Sequence, residues 1–159
     1  MTTRLERSVL LVPGSNEAMI TKAAATDADA VCIDLEDAVA VTEKESARAN
    51  VRRAFADLDF GQSLRMVRIN GLDTPLAYRD LVEIVEDVGE RIDLVVVPKV
   101  STPSDVEFVD RLLTGIVGHV GVERPIGIEA LIETAAAGMY VGEIAAASQR
   151  LESRVYGSG

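Results

Sequence analysis

Short apolar runs alternate with longer amphipathic stretches along the whole chain. The short runs cover residues 8–12, 30–33, 64–69, 94–97, 125–128 and, more weakly, 154–156. Several are apolar at nearly every position, the pattern of strands covered on both faces of a parallel sheet. Unit starts placed at residues 8, 30, 64, 93, 125 and 153 are 22 to 34 residues apart. A βα unit takes about 30.

The stretches between the runs carry helix signals. Thr42 with Glu45 reads as a capping box ahead of one apolar face formed by Ala47, Val51, Ala54 and Leu58. Thr74-Pro75 places a cap before a first-turn proline, followed by Leu81, Ile84, Val85 and Val88. Thr102-Pro103 repeats the device before Val106, Val109, Leu112, Leu113 and Ile116. Gly89 and Gly118 mark expected helix ends. A further helix is expected to begin near Glu133, to break around residues 138–142 and to resume over 143–147.

No linker or low-complexity tract divides the chain, so residues 1–159 read as a single domain. Five βα units and a further strand suit either an open doubly wound sheet or an arc of a (β/α)8 barrel. A full barrel takes about 250 residues. With 159 residues, the α/β expectation is a partial TIM barrel holding about the first five to six units.

Composition narrows the function. There are 16 basic and 26 acidic residues, a formal charge of −10, with a pI near 4.6. That balance argues against a nucleic-acid footprint or a polybasic membrane patch. No tryptophan and 4% aromatics leave little with which to stack single-stranded bases. The single cysteine, Cys32, excludes an intramolecular disulfide and suits a reducing cytoplasm; it reads as a small core residue. The N-terminal Met1-Thr2-Thr3-Arg4 leads into an apolar run too short for a signal segment or a membrane span.

In either architecture functional groups gather at the carboxyl ends of the strands. After the successive runs come Pro13-Gly14-Ser15, Asp34-Leu35-Glu36-Asp37, Arg68-Ile69-Asn70, Pro98-Lys99, Glu129 with Glu133, and Gly157-Ser158-Gly159. The opposite connections, 27–29, 61–63 and 120–124, read as ordinary solvated turns, and His119 as a solvated loop residue on that rim.

Each rim element has two readings. Pro-Gly-Ser is a turn or a nest of N–H groups for an anion. The three carboxylates after strand two form a solvated loop or an inward cluster that needs a cation to offset its repulsion. Arg68 is the candidate compensator; its fork suits either tethering of carboxylates or a substrate carboxylate or enolate oxygen. Lys99 has the same two readings. Glu133 is a favourable first-turn acid or an oxygen ligand for Mg²⁺.

Five segments in order resemble the citrate lyase β-subunit-like family, which includes malyl-CoA and citramalyl-CoA lyases within the HpcH/HpaI aldolase group. They are Leu11-Val12-Pro13-Gly14-Ser15-Asn16, Asp34-Leu35-Glu36-Asp37-Ala38-Val39, Val67-Arg68-Ile69-Asn70, Val97-Pro98-Lys99-Val100 and Leu131-Ile132-Glu133-Thr134, with a weaker match at Tyr156-Gly157-Ser158. The resemblance implies a Mg²⁺-dependent carbon–carbon lyase that splits a 3-hydroxyacyl-CoA such as citryl-, malyl- or citramalyl-CoA into an acyl-CoA and a 2-oxo acid. It implies Glu133 as metal ligand, Arg68 as the residue that contacts substrate and steadies the enolate, and Glu36-Asp37 as the catalytic acidic loop. Gly14, Ser15, Lys22 and Lys99 join Arg68 and Glu133 as expected substrate-binding residues, Lys22 beside the CoA phosphates. A cytoplasmic homo-oligomer is expected. The competing readings are a non-catalytic half-barrel that acts as an oligomeric binding protein and a 2-oxo-acid aldolase that acts without CoA.

The family's second metal-ligating carboxylate would follow Gly157-Ser158-Gly159, where this sequence stops. Little or no lyase activity is therefore expected of the 159-residue chain alone. Ordinary turnover of malyl-CoA by it would overturn that expectation.

Overall fold

The computed structural model describes residues 6–157. The leader Met1-Thr2-Thr3-Arg4 and the last rim residues, Ser158 and Gly159, lie outside the described residues. The chain alternates β1 (Val9–Pro13), α1 (Glu17–Ala24), β2 (Ala30–Asp34), α2 (Lys44–Asp57), β3 (Leu64–Arg68), α3 (Ala77–Val88), β4 (Leu94–Val97) and α4 (Pro103–Val120). It continues through β5 (Gly127–Ile132), the short α5 (Ala135–Met139) and α6 (Val141–Ala146), and β6 (Leu151–Tyr156).

All neighbouring strands are parallel, and their order in the sheet is the order in sequence. A doubly wound sheet reverses its winding at a switch point. No reversal occurs here, so the sheet is an arc of a (β/α)8 barrel: five βα units and a sixth strand.

Alternation along each strand separates two faces. Val31, Ile33, Val67, Val95, Ile128 and Ala130 face the helices and share one core with Ile20, Val51, Phe55, Leu81, Ile84 and Leu113. Ala30, Cys32, Met66, Leu94 and Val96 form a smaller cluster on the inner face. Cys32 is buried there as expected, and burial pushes its thiol well above the usual range. Val9 and Leu11 on β1 are 47% and 48% exposed, and Tyr156 on β6 is 70% exposed. These two strands are the edges of the arc.

Several helix starts differ from the sequence expectation. The Thr42–Glu45 box does not form: Thr42 sits in a 3-10 turn over Val41–Glu43, and α2 begins at Lys44 without a side-chain cap. Thr74 does not cap α3 either. Its hydroxyl donates to the Gly71 carbonyl at 2.7 Å and accepts from the Leu76 N–H, closing a loop turn one step earlier. At Thr102 the capping box is present, with Asp105 accepting from the Ser101 and Thr102 N–H groups at 2.8 Å each. Gly89 caps α3 as expected, whereas Gly118 lies within α4, which runs to Val120 and stops at Gly121 with φ 76°. That left-handed position suits glycine. His119 is accordingly an exposed residue of the last helical turn rather than of a loop. The interruption expected around residues 138–142 falls at Tyr140, within that span.

Strand β5 begins at Gly127, two residues later than the apolar run, because Pro125 has no N–H to give a ladder. The opposite connections are mostly exposed, as expected of solvated turns, with buried polar contacts beside them. Asp93 is 4% exposed and accepts from Arg65 N–H at 2.9 Å, and Asp29 takes the Arg7 fork and the Ser8 N–H. No described helix is long and apolar enough to cross a membrane.

The loop after β3 is anchored from below. Asp80, fully buried, accepts from the Asn70 N–H at 2.9 Å, the Asn70 side-chain amide at 2.6 Å and Arg48 Nε at 2.9 Å. Asp80→Ala leaves the buried Arg48 guanidinium with Glu83 as its remaining partner and strands a buried amide, and is expected to cost about 3 kcal/mol in urea unfolding. A loss below about 1 kcal/mol would show that the network carries no such weight.

Candidate active site at the carboxyl rim

The site grows out of strand register. Asp34 ends β2 and Arg68 ends β3, and the two are direct partners in the ladder. Both continue the inner-face alternation set by Ala30, Cys32 and Met66. Arg68 Nε and Nη2 each donate to a different Asp34 oxygen at 2.7 Å. The same carboxylate accepts the Glu36 N–H at 2.8 Å and the Ala38 N–H at 3.0 Å, which turns the chain sharply after β2. Burial alone would raise the Asp34 carboxyl; the Arg68 donors and these two N–H groups outweigh it and leave it below the ordinary range. The Arg68 guanidinium is correspondingly raised, chiefly by its hydrogen bonds to Asp34.

Glu36 lies on top of this pair and is 5% exposed. Its oxygens sit 3.2 Å from Arg68 Nη1 and 2.7 Å from Lys99 Nζ. Neither contact has hydrogen-bond alignment at the carboxylate, so both buried oxygens keep unused accepting capacity. Lys99 follows buried Pro98 and has φ 53°, a left-handed conformation for a residue with a side chain. The twist returns Val100 to the core and turns the Lys99 ammonium onto Glu36, with exposed Asp37 at 3.5 Å. Contact with Glu36 holds that ammonium above its usual range.

Arg68, Glu36, Asp37 and Lys99 are thus brought into one cluster. Gly14 abuts it: a Cβ there would lie 2.9 Å from the Asp34 carbonyl oxygen, so only glycine fits. Its N–H donates to that oxygen at 2.8 Å and its carbonyl accepts from Asn50 at 2.9 Å. Both main-chain groups of Gly14 are therefore committed, and the anion nest is reduced to Ser15, half-buried and without a partner among the described residues. No contact joins Lys22 to the cluster. It lies exposed in the last turn of α1, about 8 Å along the axis from the helix start.

Glu133 occupies the same rim beyond β5. Thr134 takes the cap of α5, accepting from the Ala137 N–H at 3.0 Å, so Glu133 stands outside the helix rather than in its first turn. It has no hydrogen bond or ion pair among the described residues. A Cβ at Gly157 would meet its Cγ at 3.0 Å, so glycine there makes room for it. β4 separates Glu133 from Arg68, and no contact links the two. A carboxylate oxygen is the donor Mg²⁺ takes, and one or two suffice beside water. Glu133 fits as one ligand; among the described residues no group of three acidic, histidine or cysteine side chains could hold a metal.

Sequence reasoning missed Lys44 and Asn50, and placed Glu129 on the rim with Glu133, whereas it lies within β5. Lys44 Nζ donates to the Leu35 and Glu36 carbonyls at 2.6 Å each. Glu129 is 5% exposed on the inner face and accepts from the Ser153 hydroxyl at 2.5 Å. An acid at an inward strand position was the available signal for Glu129.

A family model described as HpcH/HpaI aldolase/citrate lyase matches residues 7–158, and the chain belongs to that family. The L-malyl-CoA/beta-methylmalyl-CoA lyase of Cereibacter sphaeroides is 45% identical over 155 residues, covering 98% of this chain and 49% of that protein. The citrate lyase subunit beta of Leuconostoc mesenteroides is 40% identical over 151 residues, covering 93% and 48%. Among solved structures, protein CitE of Mycobacterium tuberculosis in complex with magnesium, acetoacetate and coenzyme A is similar with a TM-score of 0.74 and 30% identity, covering 97% of this chain and 50% of that one. These relatives place the chain in a family of carbon–carbon lyases. The chain spans about half the length of the curated relatives it matches.

The buried Asp34–Arg68 pair predicts a pH dependence. The native Asp34 carboxyl titrates below its ordinary value, so the stability it contributes is complete above that value and is lost as pH falls below it. Asp34→Asn is expected to lower stability by about 3 kcal/mol near neutrality. The difference from wild type should hold above about pH 5 and shrink below about pH 4 in thermal melts. A difference that stays constant down to about pH 3 would rule out this origin.

Proposed function

We propose that this rim is the substrate face of a Mg²⁺-dependent lyase that cleaves, or in reverse condenses, a 3-hydroxyacyl-CoA such as citryl-, malyl- or citramalyl-CoA. The reading has its strongest support in one observation. Two of Arg68's three nitrogens are fixed on Asp34, which leaves Nη1 aimed into the rim beside Glu36 and Lys99. Cleavage moves the proton from the 3-hydroxyl, breaks the bond between C2 and C3, and delivers that electron pair to the thioester as an enolate, which then takes up a proton at C2. A donor fixed where the enolate oxygen forms lowers this barrier without reorganising.

Arg68 Nη1 is that donor. Its hold on Glu36 at 3.2 Å is looser than its grip on Asp34, so a substrate oxygen exchanges with Glu36 there while Glu36 stays on Lys99. Asp37 supports Lys99 from the solvent side. Glu133 would hold Mg²⁺, which when bound polarises the oxo-acid carbonyl and balances its carboxylate. Ser15 is the open donor of the first loop, and Lys22 the basic residue for CoA phosphates. A cytoplasmic setting suits the unpaired Cys32.

The test is acetyl-CoA with glyoxylate and Mg²⁺, followed as malyl-CoA formation in wild type and Arg68→Met. Loss of the fixed donor is expected to lower the rate about 10²–10³-fold. If turnover is too slow to follow, pyruvate with Mg²⁺ should still shift the NMR signal of the Arg68 side chain. A chain that neither turns over nor binds an oxo acid with Mg²⁺ refutes the proposal.

A second reading, an oligomeric binding protein without catalysis, is favoured by the apolar edges at Val9, Leu11 and Tyr156. Uncovered sheet edges invite pairing with another chain. Sedimentation should then show a defined oligomer that Leu11→Lys dissociates; a monodisperse monomer counts against it.

A further inference from the structure

A cation at the first residue of a helix opposes the positive end of the helix dipole. Burying it adds a desolvation cost. Lys44 combines both: it opens α2 and is 7% exposed. Burial pulls its ammonium below the ordinary range, opposed by Asp34, Asp80, Glu36 and Asp37 around it. Two structural conflicts at one residue need a local return, and the contacts show it. Nζ reaches nine and eight residues back to the Leu35 and Glu36 carbonyls, at 2.6 Å each.

Those carbonyls flank the peptide that carries Glu36. Asp34 holds the Glu36 and Ala38 N–H groups, and Lys44 holds the Leu35 and Glu36 carbonyls. The segment is clamped through its main chain, so the Glu36 carboxylate needs no aligned hydrogen bond of its own to stay between Arg68 and Lys99. We propose that Lys44 is the positioning residue of the acidic loop, setting Glu36 against Arg68 and Lys99 through the loop's main chain without touching substrate. The main-chain part stands on the geometry; only its consequence for substrate rests on the lyase reading.

The test compares wild type with Lys44→Met, which keeps the apolar stem, and Lys44→Arg, which keeps charge and donors. Amide hydrogen exchange at Glu36 and Ala38 should rise about tenfold or more in Lys44→Met, as expected for loss of charged hydrogen bonds, while amides in β4 are unchanged. Pyruvate affinity in the presence of Mg²⁺ should fall about tenfold, with partial recovery in Lys44→Arg. If Lys44→Met fails to fold, Lys44→Gln replaces it with the same expectations. Unchanged exchange at Glu36 and Ala38 in a folded variant overturns the proposal, as does raised exchange with unaltered pyruvate affinity. If wild type binds no pyruvate, the lyase reading fails, and the exchange result alone judges Lys44.

Discussion

The two hydrogen bonds from Arg68 to Asp34 fix everything built on this rim. They exist because two parallel strands end in register, one on an acid and one on a guanidinium, both on the inner face. A carboxylate buried this deeply is tolerated only when paired and hydrogen-bonded. Asp34 meets that requirement with four donors, and the requirement shapes its surroundings: the turn at Glu36, the direction of the Arg68 fork, and the glycine needed at position 14 where the chain crosses the Asp34 carbonyl. The fork is rigid and planar, so fixing two of its nitrogens fixes the third.

Around that pair the chain departs from local preference at several points. Lys99 adopts a left-handed backbone, Lys44 is a buried cation at the wrong end of a helix, and Glu36 is buried without aligned donors. Elsewhere propensity, pattern and packing agree, as in α4 with its capping box, N-terminal proline and left-handed Gly121. Conflicts of this kind concentrate where geometry serves chemistry. The charges also close on themselves. Asp34, Glu36 and Asp37 meet Arg68, Lys99 and Lys44, three against three. In the proposed function an anionic substrate would enter this cluster by exchange with Glu36 or with a cation of its own.

Much of this was legible in the sequence, and the failures have physical causes. Strands β2, β3 and β4 show as apolar runs because helices cover one face and small or long aliphatic side chains fill the other. The cluster of Arg68, Glu36 and Lys99 could be anticipated because charged residues at strand ends have only the rim to occupy. Helix starts were less legible. Thr42 and Thr74 carry the side chains of caps, but a 3-10 turn and a loop turn claim them first, and the helices begin two or three residues later. Lys44 escaped because a lysine at a helix start looks like a solvated residue; its burial depends on the loop folding back over it. Glu129 was placed on the rim with Glu133 because one acid after an apolar run reads as the end of that run, whereas it lies on the inner face of β5. Gly14 was assigned to substrate on its turn-like context, yet close packing against Asp34 accounts for it.

The site divides into two parts that differ in how completely they are organised. In the proposed lyase reading the anion-recognising part is assembled by β1 through β4 and the loops above them, and Asp34, Arg68, Glu36 and Lys99 are each held by at least two contacts. In that reading the metal-facing residue is Glu133, beyond β5, without a partner among the described residues and given room by Gly157. A carboxylate left without a partner is flexible, and a single flexible oxygen donor binds a hard cation weakly because Mg²⁺ demands near-octahedral order and keeps its water reluctantly. In the proposed lyase reading, preorganisation therefore lies on the side that would steady the enolate. An oxo acid bridging the two parts, its carboxylate and carbonyl facing Glu133 through the cation, would itself supply order that Glu133 lacks. Ligand and metal then bind as one unit, each raising the affinity of the other, and reciprocity of that coupling follows from linkage rather than from any movement of the sheet.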